Sequence, residues 1–304
     1  MSLRCKIGVQ LPEVEYEVGW PDLISMAKAA EAVGFDSLWL GDHLLYDLPV
    51  GPRGPWEVWT SLAALAAATT TIELGPLVAS TSFHNPAMLA KQAATVDGIA
   101  DGRLIVGLGA GWNEREYTAF GFPYDQRVAR FEESFTIIRT LLRDGQIDFH
   151  GRFNDLRDCV LHPRPTRPGG PPLLIGSIGP RMLAITLPHV DAWNVWWSQY
   201  GNTAAGFADV KASVDEAIVA AGREPGSVQA TAAVFVQLGG AGRVMGSYDG
   251  GRKADPITGS NEQIAEQLRA IVDAGATHLQ LVVDPITQET IEALAPVLAM
   301  VRAG

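Results

Sequence analysis

Cysteine is almost missing from this chain: Cys5 and Cys159 are the two that occur in 304 residues. Two such distant residues form no disulfide framework and no metal-ligand spacing, which fits a reducing compartment. Long apolar runs are missing as well. Nothing reaches the roughly 18 consecutive apolar residues of a membrane-spanning helix. The first residues lack the basic start and apolar core of a signal peptide, so the expectation is a cytoplasmic protein away from any membrane. Basic residues are few. Lys and Arg number 23 against 34 Asp and Glu, a formal net charge of -11. Phosphate neutralisation along a duplex needs a basic face, so nucleic acid is not expected as a partner. An anionic cofactor remains open, because binding one takes only local donors.

Absent motifs narrow the chemistry further. His43, His84, His150, His162, His189 and His278 are scattered, and no His/Glu/Cys cluster has the spacing of a metal site. No G-x-S-x-G nucleophile signal occurs. With neither metal nor nucleophile in view, an organic cofactor held by the protein is the expected carrier of the reaction.

What the chain does have is a rhythm. Apolar residues make up 47% and charged residues 19%, and short apolar strands alternate with longer helical stretches about eight times. Lys6–Leu11, Ser37–Leu40, Thr71–Val78, Arg103–Leu108, Pro172–Ile175, Ala192–Trp196, Ser227–Val236 and His278–Val283 read as strands. Several are nearly all apolar, as strands buried on both faces are. Between them lie helical stretches such as Arg127–Leu142, where Phe131, Phe135, Ile138 and Leu142 mark one stripe. No Pro/Gly/Ser linker divides the chain into two halves. The expectation is one α/β domain over residues 1–304, a TIM-type (β/α)8 barrel of roughly 250 residues plus insertions at its C-terminal face. Residues 145–170 read as an insertion with a small hairpin near Ile147–Phe153, and 239–260 as a mobile lid. A doubly wound open sheet is the structural rival, since strand order is not written in the sequence.

In a barrel the strand ends form the mouth where substrates bind, and polar residues gather there. Asp42-His43 follows the second strand. A histidine moves protons near neutral pH, and a carboxylate can orient its ring. Adjacent extended residues point to opposite faces, however, so Asp42 can equally anchor backbone elsewhere. Gly107, Gly109 and Gly111 form G-x-G-x-G after strand four, a poor match to a dinucleotide fingerprint. Glycines at Gly109 and Gly111 either let a flat cofactor approach the backbone or pack strand against helix. Asn113 brings an amide for a ring edge or phosphate. Gly176-Ser177-Ile178-Gly179-Pro180-Arg181 is the best anion loop, with free N–H groups before a helix and a cation in Arg181. Trp112 and Trp196 are candidates for the substrate wall, whereas Trp193, alternating with its neighbours, reads as core. Glu114 and Glu116 fall in the first turn of a helix, where acidic residues stabilise the end, and neither is taken as catalytic.

Several segments together resemble the luciferase-like flavin and deazaflavin oxidoreductases over nearly the whole chain. They are Ala29–Ser37, Asp42-His43, Ile72–Val78, His84-Asn85-Pro86, Asp101-Gly102-Arg103, Gly107–Tyr117, Arg130–Glu133 and Pro171–Gly176. The resemblance implies a barrel enzyme with FMN or the deazaflavin F420 inserted in its mouth. The Gly109–Glu116 block is most similar to the F420-dependent branch. There the histidine matching His43 lies near the ring and takes part in proton transfer or substrate binding. The family bulge after strand three, with a non-proline cis peptide behind the ring, would fall at Leu77-Val78. Gly176–Gly179 matches a phosphate-binding loop. Trp112 replaces a carboxylate of the sugar-phosphate dehydrogenase branch, which argues against that substrate. A homodimer is also implied.

The expectation is thus hydride transfer between F420 and a small organic substrate, with His43 catalytic. Asp42, Leu77, Val78, Gly109, Gly111, Asn113, Gly176, Ser177, Gly179 and Arg181 would hold the cofactor, Trp112 and Trp196 the substrate, with no metal. The alternatives are an FMN-dependent monooxygenase using oxygen and a cofactor-binding barrel without turnover.

Overall fold

The computed structural model describes residues 5–239 and 254–303. Eight parallel strands form a ring: β1 (Lys6–Gln10), β2 (Ser37–Leu40), β3 (Glu73–Pro76, resumed at Ala79–Ser80), β4 (Val106–Gly109), β5 (Leu173–Ile175), β6 (Ala192–Val195), β7 (Gln229–Gln237) and β8 (His278–Asp284). Each pairs with its neighbours in chain order, and β8 returns to β1. Between β3 and β4 the ring is joined by a bridge from Leu74 to Leu104 and by Ala79–Leu108 pairing. This closed order of strands sets the open-sheet rival aside.

The helices α1 (Trp20–Val33), α2 (Val58–Ala68), α3 (Pro86–Ile99), α4 (Glu114–Phe120), α5 (Arg127–Asp144), α6 (Pro180–Thr186), α7 (Ala204–Ala220), α8 (Asn261–Asp273), α9 (Gln288–Ala293) and α10 (Ala295–Ala303) follow the strands. Their apolar stripes face the ring. In α5 the buried set is Phe131, Phe135, Ile138 and Leu142, joined by Ser134, Ile137 and Leu141. Among the described residues no helix is long and apolar enough to cross a membrane.

The inside of the ring is polar below the mouth. Trp39 fills space that Gly8 and Gly75 leave; a Cβ on Gly8 would come 2.7 Å from its Nε1. Trp39 Nε1 donates to Ser37 Oγ at 2.7 Å, and Ser37 Oγ lies 2.7 Å from His278 Nε2. Burial, helped by the Lys6 charge, pushes the His278 ring down to about 3, so it stays neutral. Higher up, Asn194 donates to Thr231 Oγ1 at 2.9 Å and to Gln280 Oε1 at 2.8 Å. Most polar atoms of these buried side chains pair with one another, within a strand or between strands, which is what lets a polar interior persist.

Several elements depart from the sequence reading. Strand three, expected to run unbroken over Thr71–Val78, is broken after Pro76, whereas the Leu77-Val78 peptide at the break is cis as the resemblance implies. The proline-rich stretch after His43 holds a hairpin of Tyr46–Leu48 with Gly51–Arg53. Proline is tolerated there because both strands of a ribbon are edges. The second hairpin is longer than expected, Gln146–His150 with Asp155–Val160. Trp193 is core as expected, fully buried and stacked on Phe207 of α7. Most of the expected lid at 239–260 lies outside the described residues.

One carboxylate ties the far end of the ring. Glu31 of α1 accepts N–H bonds from Thr70 (2.8 Å), Thr71 (2.6 Å) and Ile72 (3.0 Å) at the entry to β3. Burial alone would raise its proton affinity, but these donors outweigh it and hold the group down to about 2. A carboxyl whose folded value lies below its unfolded one stabilises the fold above the unfolded value and loses that contribution as pH falls. Glu31→Gln is therefore expected to cost about 1–3 kcal/mol at neutral pH. Urea unfolding at several pH values should show the gap from the parent protein closing between 4.5 and about 2.

Candidate functional site

A cavity of about 730 Å³ opens at the C-terminal ends of the barrel strands. That is within the usual size of a small-molecule site. Its lining draws on the ends of β2, β3, β4, β5 and β6, on the loop after β1, and on the start of α5.

His43 stands in its wall. The ring lies 4.7 Å from Tyr46 and 5.8 Å from Trp112, centroid to centroid, and its side chain keeps 20% of its surface exposed. Its Nδ1–H donates to Glu116 Oε2 at 3.0 Å and Oε1 at 3.2 Å. A carboxylate accepts only, so the proton on that side belongs to Nδ1, and Nε2 is left as the acceptor of the neutral ring. Burial lowers the proton affinity of His43. The Glu116 hydrogen bond and the charges of Glu13, Glu116 and Asp42 more than reverse this, and the net shift is upward.

Asp42, next in the chain, turns the other way. Its Oδ2 accepts from Ser80 N–H at 2.8 Å and from His84 Nε2 at 2.8 Å. Asp42 thus fastens the end of β2 to the end of β3, while the His43 ring is held by Glu116.

The far side is built around Val78. A Cβ on Gly109 or Gly176 would fall 2.7 or 2.8 Å from its methyl groups, so glycine at both positions makes room for that side chain. Gly111 has another reason: its φ is +72°, and a Cβ would overlap Tyr117 Oη and Ser80 Oγ. The glycines after β4 thus pack the protein against itself as well as bordering the cavity.

Of the residues expected from sequence, Asp42, His43, Leu77, Val78, Gly109, Gly111, Trp112, Gly176, Ser177 and Trp196 all line this cavity. Three do not. Asn113 caps the start of α4, and its amide donates to the Leu45 carbonyl at 3.2 Å. Arg181 sits on the outer face of α6, 62% exposed, 3.3 Å from Glu132 of α5. Gly179 is not a lining residue, and its N–H donates to Ser177 Oγ at 3.4 Å. The expected cation at the anion loop is therefore directed to a surface pair.

The structure adds Glu13, Ser80, Glu116 and Arg127. Glu13 is buried, accepts from the Gln10 amide, and lies 3.4 Å from the Tyr46 hydroxyl that donates to it. Arg127 donates to the Gly111 carbonyl at 2.8 Å and lies over the Tyr124 ring. Only the position of Ser80 after strand three and the acidic first turn of α4 hint at any of these in the sequence. The cavity suits a flat heteroaromatic ring: Leu77 and Val78 give an apolar surface, glycine backbone borders it, and the buried Ser80 hydroxyl has no protein partner.

Residues 5–241 match the luciferase-like monooxygenase family. An F420-dependent glucose-6-phosphate dehydrogenase from Amycolatopsis mediterranei (strain U-32) is 33% identical over 180 residues, 58% of this chain and 52% of that relative. The matched stretch thus spans about half the relative's length. Among solved structures, an F420-dependent secondary alcohol dehydrogenase in complex with an F420-acetone adduct superposes with a TM-score of 0.82 at 20% identity, covering 98% of this chain and 99% of that one. Riboflavin lyase with modified FMN and riboflavin also gives 0.82, at 15% identity, covering 99% and 92%. At such identities these two likenesses show the barrel fold.

The packing around Gly111 gives a direct test. Gly111→Ala adds a clash to a left-handed backbone position and is expected to destabilise by about 1–3 kcal/mol in denaturant unfolding. An unchanged midpoint would mean that the mouth packs differently.

Proposed function

The chain belongs to the luciferase-like monooxygenase family, and from that membership we propose that it transfers a hydride between F420 and a small organic substrate. The observation that carries the reading is the His43–Glu116 pair in the cavity wall, a ring with raised proton affinity beside a space fit for a planar ring. Similarity to an F420-dependent relative supports the choice of cofactor.

Leu77, Val78, Gly109, Gly111, Gly176 and Ser177 would hold the cofactor, and Ser80 would offer its hydroxyl to a polar ring edge. When bound, the deazaflavin supplies a carbon centre that accepts or gives the hydride. Hydride transfer to a carbonyl carbon, or in reverse from the carbinol carbon of an alcohol, leaves one proton to be moved as well. His43 Nε2 is the atom that moves it. In the protonated ring it donates to a forming alkoxide, and in the neutral ring it takes the proton from an alcohol. Trp112 and Trp196 shape the substrate side and keep water from the reacting centre. Trp112 stands where the sugar-phosphate branch of the resembling family carries a carboxylate, so a substrate other than a sugar phosphate is expected.

Titration of the purified protein with F420 and with FMN, followed by absorbance and fluorescence, tests the reading. Saturable F420 binding supports it. Tight FMN binding with oxygen incorporation from reduced flavin would replace it with a monooxygenase. Binding of F420 with no turnover over a broad carbonyl and alcohol panel would point to a barrel that binds without reacting. With an active substrate in hand, His43→Ala is expected to lower kcat by about 10²–10⁴-fold, with F420 affinity nearly unchanged. Carbonyl reduction should fall as pH rises through the raised value of His43, because the donor form is then lost.

A further inference from the structure

A histidine that moves a proton at one ring nitrogen works best when the other nitrogen is fixed. Glu116 does the fixing here, and it does more. Its carboxylate is fully buried in the first turn of α4. It accepts from His43 Nδ1, from Leu44 N–H at 2.5 Å and from Leu45 N–H at 3.3 Å. All three donors come from consecutive residues, and the next residue, Tyr46, begins the hairpin that borders the mouth.

We propose that Glu116 is the positioning residue of this site: one carboxylate sets the His43 tautomer and anchors the chain that carries the 46–53 hairpin. Its relevance to turnover rests on the reading of His43 as the proton-handling group; its effect on the ring does not. Two further contacts join the same elements. Asn113 donates to the Leu45 carbonyl, and Arg115 Nε lies 2.8 Å from Asp47 Oδ2. The start of α4 is thus stitched to the segment after β2 at three residues. The hairpin needs such stitching, because Tyr46 and Leu48 pack with Val14 in a small cluster separate from the main core.

Other ionisable groups also face His43. Glu13 approaches from the loop after β1, Asp42 from the end of β2 and Tyr46 from the hairpin, while Arg127 of α5 lines the same cavity. Glu13 and Asp42 act on the ring through charge, whereas Glu116 also holds a ring nitrogen. A buried carboxylate within hydrogen-bond reach favours the charged ring by about 1–3 pH units. Removal of its charge should therefore leave a mark that loss of structure alone would not.

The test uses the full-length protein labelled with ¹⁵N, without cofactor. Long-range ¹⁵N–¹H correlation spectra of His43 across pH report tautomer and titration together, and amide exchange reports the anchoring. In the parent protein the neutral ring is expected to carry its proton on Nδ1. In Glu116→Gln the His43 midpoint should fall by about 1–3 units, and the Leu44 and Leu45 amides should exchange about tenfold faster. In Glu13→Gln the midpoint should fall while tautomer and exchange stay as in the parent. If Glu116→Gln does not fold, Glu116→Asp, with a shorter reach and the same charge, should still shift the Nδ1 signal. A His43 titration and tautomer unchanged by either substitution at position 116 would overturn the proposal. None of these readouts uses F420, so failure of cofactor binding would leave the result standing, and a flat His43 response would sink the role of Glu116 alone.

Discussion

A carboxylate taken out of water must be met by donors, or it costs the fold several kcal/mol. Glu116, fully buried at the mouth, is one of the groups on which this demand falls. Its donors are one ring nitrogen and two backbone N–H groups from residues 43–45. The segment after β2 has no regular structure of its own to fix it. The need to satisfy Glu116 therefore sets where His43 stands, and with it where the hairpin and the Tyr46 ring stand.

The opposite wall obeys a different constraint. Asp42 joins β2 to β3 through Ser80 N–H and is itself joined to His84. That fastening comes just after the break at Leu77-Val78, where Val78 leans against strand ends that carry glycine. Polar bonds hold the His43 wall, and close packing holds the Val78 wall. Between them lies a space bordered by one apolar surface and the His43 ring. A barrel can carry many chemistries at this end, because loops at the strand termini vary while the ring of strands stays the same. Any one chemistry at this end depends on the particular side chains there, with the fold as background.

Much of this is legible in the sequence. Parallel strands covered by helices are largely buried, so the eight stand out as short, mostly apolar runs despite the polar side chains that Ser37, Asn194, Thr231, His278 and Gln280 put inside the ring, and the residues that follow them mark the mouth. That Asp42 and His43 turn to different partners accords with the expected alternation of neighbouring residues just beyond β2. What is not legible depends on contacts far apart in the chain. Glu116 looks like any acidic residue at a helix start, and nothing local says that its carboxylate turns inward to a residue 73 positions away. Arg181 looks suited to an anion because it follows a glycine loop, yet α6 turns it outward to Glu132. Asn113 looks like a ring-edge partner, but from the start of α4 its amide reaches the Leu45 carbonyl just before the hairpin. The glycines do mark sites of close approach, and the side chain that approaches Gly109 and Gly176 is Val78.

The proposed function requires a planar redox ring in the mouth between Val78 and His43. A crystal structure of the protein soaked with F420 tests it most directly. The account predicts the deazaflavin ring against Val78, with His43 Nε2 facing it and Nδ1 still on Glu116. A ring bound elsewhere on the barrel, or a mouth left empty at saturating F420, would contradict it.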